Sequence, residues 1–123
     1  MHKKLFVAAA IFWTVAITVL SLISLSNDTV FNSVAGKDKY VHFLFYLFFT
    51  LIWGIALRCN KLKNSIIILL SAVFYGVVIE LAQGIFTLTR QPDFYDVVAN
   101  SCGAFVGWLL LHYYFKWQIN KLR

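Results

Sequence analysis

Four long apolar runs decide most of what this chain can be: Leu5 to Leu25, Tyr40 to Leu57, Ser65 to Phe86 and Val97 to Phe115. Each approaches the roughly 20 residues that an α-helix needs to cross a hydrocarbon core about 30 Å thick. Inside lipid no water is present to pair the backbone, and a helix satisfies its own N–H and C=O groups. The runs therefore predict an all-α fold, a four-helix transmembrane bundle forming one domain over residues 1–123. Composition agrees, with 61% of the 123 residues apolar and 13% charged, against about 45–50% and about 25% in soluble domains. The connections at 26–39, 58–64 and 87–96 are short and polar, and none can hold a soluble domain.

Charge orients the bundle. The formal net charge of +6 is not gathered into the polar, basic surface that nucleic acid requires, so no nucleic-acid partner is expected. Lys3, Lys4, Arg58, Lys61, Lys63, Lys116, Lys121 and Arg123 fall at one membrane side, and Lys37, Lys39 and Arg90 at the other. Lys and Arg concentrate in cytoplasmic segments, which predicts both termini inside and the first and third loops outside. The first run also admits a signal-peptide reading, with Lys3 and Lys4 before it and Ser24-Leu25-Ser26 as a small-x-small site, but it is longer than a typical signal core of about 7–15 residues. Cys59 and Cys102 sit toward opposite ends in this topology, too far apart to bridge, and their spacing is not that of a metal site.

The polar residues inside these spans carry the functional reading. All five carboxylates, Asp28, Asp38, Glu80, Asp93 and Asp96, fall on or near the outer side. Asp38, His42 and Tyr46 recur every fourth residue and so share one helix face. Glu80 and Gln83 are three apart on the third helix, with Glu80 about 9 Å below its outer end at 1.5 Å per residue. Asp96 and Asn100 continue into Gly103 and Gly107 on one stripe of the fourth helix, and Gly76, Glu80 and Gly84 repeat on the third. The small-xxx-small spacing lets backbones approach closely, so Gly76, Gly103 and Gly107 are expected to pack helices three and four against each other or against the second. This gathers Glu80, Gln83, Asp96 and Asn100 into an outward-opening pocket, with Asp38, Lys39 and His42 at its rim and Arg90 as a nearby cation. The competing reading is a structural clasp, in which Arg90 or Lys39 neutralises the carboxylates and Asn100 and Gln83 bridge helices. One histidine with scattered carboxylates is a weak metal set, and neither metal nor cofactor is expected. A nucleophile elbow, a paired-His zinc motif and a phosphate loop are all missing from the sequence, so no catalytic residue is assigned.

Three stretches in this order resemble the VanZ-like family of bacterial integral membrane proteins: Asp38-Lys39-Tyr40-Val41-His42-Phe43-Leu44-Phe45-Tyr46, then Glu80-Leu81-Ala82-Gln83, then Arg90 through Gly103 with Gly107 beyond. The likeness spans about Lys37 to Trp108. It implies a small multi-spanning protein of the bacterial inner (plasma) membrane and marks Asp38, Lys39, His42, Glu80, Gln83, Arg90, Asp96 and Asn100 as shared polar positions. Leu88 and Thr89 depart from the Pro or Gly that many members carry before the arginine. The family's founding member is linked to low-level resistance to teicoplanin, a glycopeptide acting at the outer envelope face.

The expected function is binding of, or action on, a cell-envelope component at the outer pocket, with a lipid head group or lipid-linked precursor as partner. Glycopeptide tolerance is an implied link. Two alternatives stay open: an enzyme in which His42 and Glu80 do acid–base work on a phosphate or ester bond, and a scaffold or small transporter. In the last, a homo-oligomer would form along Gly103 and Gly107.

Overall fold

A computed structural model describes residues 2–22, 37–86 and 91–123, with the backbone alone for 37 and 38. The described residues form four α-helices and no strands: α1 (His2–Leu22), α2 (Lys37–Ala56), α3 (Leu62–Phe86) and α4 (Phe94–Lys121). All four are long and apolar enough to cross a membrane. All four helices begin before their apolar runs and α4 also continues past its run, because a helix can carry its self-paired backbone into the polar interface. The expected end of the first span at Leu25, and the Ser24-Leu25-Ser26 site, lie outside the described residues.

The outer surface is what lipid contact requires. Leu5, Phe12, Phe74 and Ile85 are each about 70% exposed, far more apolar surface than water would tolerate in one contiguous belt. Inside, the polar edges of aromatic side chains tie helices together. The Trp13 indole donates to the Phe45 carbonyl at 2.9 Å and the Trp53 indole to Thr14 Oγ1 at 2.9 Å. Tyr75 hydroxyl reaches the Thr14 carbonyl at 3.2 Å, and Trp108 donates to Ser65 Oγ at 3.1 Å. These bonds and the aromatic packing of Trp13 with Phe45 and Phe48 make α1 part of the bundle. Just past the end of α2, Arg58, with a φ of 52°, is the left-handed residue of a Schellman turn, with Cys59 N–H bonding the Gly54 carbonyl and Arg58 N–H that of Ile55.

One seam sets the helix order. Phe43 lies on Gly103, Leu47 on Gly107 and Gly54 against Leu111, so residue numbers rise together and α2 and α4 run parallel. Gly103 and Gly107 touch the backbone carbonyls of Phe43 and Leu47; a Cβ at either position would collide with main-chain oxygen, which cannot swing away. Of the two expected packings, α4 thus uses its glycines against α2, and Gly103 and Gly107 are buried within one chain. Gly76 serves a different contact: a Cβ there would press on Asn100 and on the Tyr46 ring at 3.2 and 3.3 Å.

Replacing Gly103 with Val is expected to force α2 and α4 apart and to cost about 1–3 kcal/mol or more, the usual penalty of overpacking. Thermal unfolding of the detergent-solubilised protein reads this as a lowered Tm. An exchange at outward-facing Phe105 to Leu should leave Tm nearly unchanged.

Candidate functional site

Because α2 and α4 both start at the end where α3 finishes, the polar beginnings of two helices meet the polar end of a third. His42 lies on the second turn of α2. Its Nδ1 sits 3.0 Å from Asn100 Oδ1 and its Nε2 3.7 Å from Asp96 Oδ2. Asn100 fits there because Gly76 on α3 has no side chain to displace it. His42, Glu80 and Asn100 are 4%, 2% and 1% exposed, so this is a buried floor.

Glu80 reaches the same place from α3. Its Oε1 accepts the Asp93 backbone N–H at 2.7 Å. The contact depends on Gly84, one turn along α3, where the absence of a Cβ lets the Pro92 ring lie against the helix and bring Asp93 down. Asp93 in turn is the N-cap of α4, accepting the Tyr95 N–H at 2.9 Å. Glu80 and Asp96 therefore both stand at the positive end of the α4 dipole, which favours negative charge. The second Glu80 oxygen, Oε2, is buried without a hydrogen-bond partner among the described residues, as are Tyr46 Oη and Asn100 Nδ2. Buried polar atoms of this kind are uncommon, because each gives up its hydration without replacement.

Above the floor lies a half-exposed rim. Lys39 Nζ stands 3.6 Å from Asp93 Oδ2 and 3.8 Å from Asp96 Oδ1, and 6.0 Å from the centre of the Tyr95 ring. Asp96 thus turns one oxygen to Lys39 and the other to His42. With Nδ1–H donating to the Asn100 carbonyl oxygen, a neutral His42 presents its Nε2 lone pair to a carboxylate. Two acceptors facing one another in this way favour a hydrogen-bond donor or a cation between them.

The structure brings Lys39, His42, Glu80, Asp96 and Asn100 together from three helices. Gln83 is also buried, but its amide donates to the Ser21 carbonyl at 2.9 Å, tying α3 to α1. Asp38 belongs to the first turn of α2, while its side chain and the whole of Arg90, with Leu88 and Thr89, lie outside the described residues. Asp28 lies outside them also. Sequence reasoning left out Asp93 as a site member, although an Asp directly before a helix start is an N-cap signal. One donor atom each from His42, Glu80 and Asp96 fall within 4.8 Å of one another, a closer grouping than one histidine with scattered carboxylates. Their spacing carried no local motif because each comes from a different helix.

Elsewhere, Cys59 and Cys102 are both free; burial pushes the Cys59 thiol up, which makes it a poor nucleophile. At the opposite end of the bundle a cleft of about 410 Å³ is lined by His2, Lys3, Arg58 and Tyr114 among others.

Comparison with known proteins agrees with this architecture. The VanZ/LLP1 family description matches residues 5–116, and the chain belongs to that family as a multi-pass membrane protein. An uncharacterized protein of the fission yeast Schizosaccharomyces pombe is 31% identical over 88 residues, which is 71% of this chain and 54% of the yeast protein. The chain thus spans about half the length of this curated relative. No solved structure matches it.

Glu80 offers a test of the floor. Glu80→Gln retains an oxygen that can accept from Asp93 N–H and is expected to keep stability within about 1 kcal/mol of the parent. Glu80→Ala leaves that amide unpaired and opens a void, with an expected loss of about 2–4 kcal/mol. Unfolding of the two variants in the same detergent compares them.

Proposed function

We propose that this chain binds a phosphate-bearing head group, carried by a membrane lipid or a lipid-linked envelope precursor, at the end of the bundle where α2 and α4 begin. In this reading the protein resides in the bacterial inner membrane with both termini cytoplasmic, and the site opens in the outer leaflet. The observation that carries it is the convergence of Lys39, His42, Glu80, Asp96 and Asn100 from three helices, graded from a half-exposed rim to a buried floor. Ionisable groups in a membrane span are costly unless paired or hydrated, and they usually mark a functional path or site. Lys39 is the cation at the mouth, and its neighbour Tyr95 offers a flat apolar wall beside it. Arg90 is proposed as a second phosphate contact, since a guanidinium can hold two phosphate oxygens at once. A relative in a fungus favours a head group common to bacterial and fungal membranes. An effect on glycopeptide tolerance follows if the bound group belongs to a wall precursor.

A second reading makes the site an enzyme. It is favoured by the buried His42, held between Asn100 and Asp96, an arrangement that can pass a proton to or from a phosphate or ester oxygen within reach. Incubating membranes with labelled phospholipid or polyprenyl-phosphate substrates tests it; a product that disappears with His42→Ala supports it.

For the binding reading, the purified protein is titrated with short-chain phosphatidylglycerol and phosphatidylcholine. Tighter binding of the anionic lipid is expected, weakened about tenfold by Lys39→Ala, the typical weight of one charge-assisted hydrogen bond. Equal affinity for both lipids, or indifference to Lys39→Ala, contradicts it. Reporter fusions at Asn60, Gln91 and the carboxyl end should report inside, outside and inside; an external Asn60 reverses the orientation.

A further inference from the structure

From the floor of this site we infer that His42, Glu80 and Asp96 are the protein ligands of a divalent first-row metal ion of the zinc or manganese kind. The inference rests on the same cluster as the head-group reading and adds what that reading lacks. Lys39 is paired with Asp93 and Asp96 and Glu80 lies on the floor beside them, so among the described residues an anionic phosphate meets more carboxylates than cations. A divalent cation on the floor reverses the local sign and gives phosphate oxygens a point of attachment.

Three observations point to the ion. The three donor atoms lie within 4.8 Å of one another. Ligand atoms about 2.0–2.2 Å from a metal stand ~3–3.5 Å apart, so closure takes an inward movement of roughly 1 Å, within reach of side-chain rotation. Glu80, 2% exposed, holds Oε2 buried and without a hydrogen-bond partner among the described residues, while its Oε1 is fixed by Asp93 N–H. That division leaves one carboxylate oxygen oriented and the other ready to coordinate. His42 shows the same division: Nδ1 is engaged by Asn100 and Nε2 faces Asp96 Oδ2. Metal-binding histidines almost always donate their other ring N–H to an oxygen, which selects the tautomer and aims the coordinating nitrogen. Asn100 performs that task here as a positioning residue, and Gly76 makes room for it.

The donor chemistry selects the ion. One imidazole with two carboxylates suits zinc or manganese, whereas magnesium and calcium prefer all-oxygen sets. Three protein ligands leave further coordination positions for water or a phosphate oxygen. Lys39, on the far side of Asp96, stands where it can hold another oxygen of the same phosphate.

The full chain, purified in detergent, stripped with EDTA and dialysed against Zn²⁺ or Mn²⁺, is expected to retain one equivalent of one of them. Glu80→Gln and Asp96→Asn should lose it, and Asn100→Ala should bind 10–100-fold more weakly, all with helix content and elution volume unchanged. Mn²⁺ electron paramagnetic resonance reads the same loss without any activity assay. If Glu80→Gln fails to fold, Asp96→Asn and Asn100→Ala decide. No retained metal in the parent overturns the inference; metal retained equally by the parent, Asp96→Asn and Asn100→Ala overturns it too. Phosphatidylglycerol titration with and without EDTA separates the two proposals. Metal retention without lipid preference sinks the head-group reading alone, and lipid preference with no metal bound sinks the ion alone.

Discussion

The close approach of α2 and α4 is the constraint from which the rest follows. At Gly103 and Gly107 the two backbones touch, with carbonyl oxygens of Phe43 and Leu47 where side chains would otherwise stand. In lipid there is little hydrophobic drive to press helices together, and contact area gained by small residues supplies much of the association. Parallel neighbours at that distance bring residues at equal depth face to face. Asn100, one turn before Gly103, and His42, the residue before Phe43, can then touch.

That geometry makes burial of polar groups tolerable. Each of His42, Glu80, Asp96 and Asn100 would be expensive alone in hydrocarbon, yet together they supply most of one another's partners. The first turn of α4 contributes its own field, since Glu80 and Asp96 both stand at its amide-rich end. Gly84 and Pro92 complete the arrangement by letting the α4 N-cap settle onto α3. Among the described residues, the polar atoms of this set without a hydrogen-bond partner, Glu80 Oε2 and Asn100 Nδ2, lie together at the floor.

Much of this was legible from residue order. Hydropathy alone announces four spans, because a run of apolar residues long enough to cross a membrane has few other uses. Periodicity of four placed Asp96, Asn100, Gly103 and Gly107 on one stripe, and the structure uses that stripe whole. Periodicity could not choose which helix the stripe would meet, since both α2 and α3 present small or polar faces; the carbonyls of Phe43 and Leu47 decide it only in three dimensions. Gln83 shows the limit from the other side: one residue off the Glu80–Gly84 repeat, its amide reaches Ser21 of α1. Helix ends were misjudged for a physical reason, as polar residues such as Lys37 and Lys121 remain helical in the interface. The three-donor cluster was invisible because its members are 38 and 16 residues apart along the chain, with no spacing rule to join them.

The central claim is that side chains from separate helices are held in direct contact beneath one face of the bundle, and a double-mutant cycle on His42 and Asn100 addresses it most directly. With both residues changed to Ala, singly and together, unfolding free energies in the same detergent should be non-additive by about 1 kcal/mol or more, as for groups sharing a hydrogen bond in a buried network. Additivity within about 0.3 kcal/mol would mean that the two side chains do not meet, and the site described here would not exist.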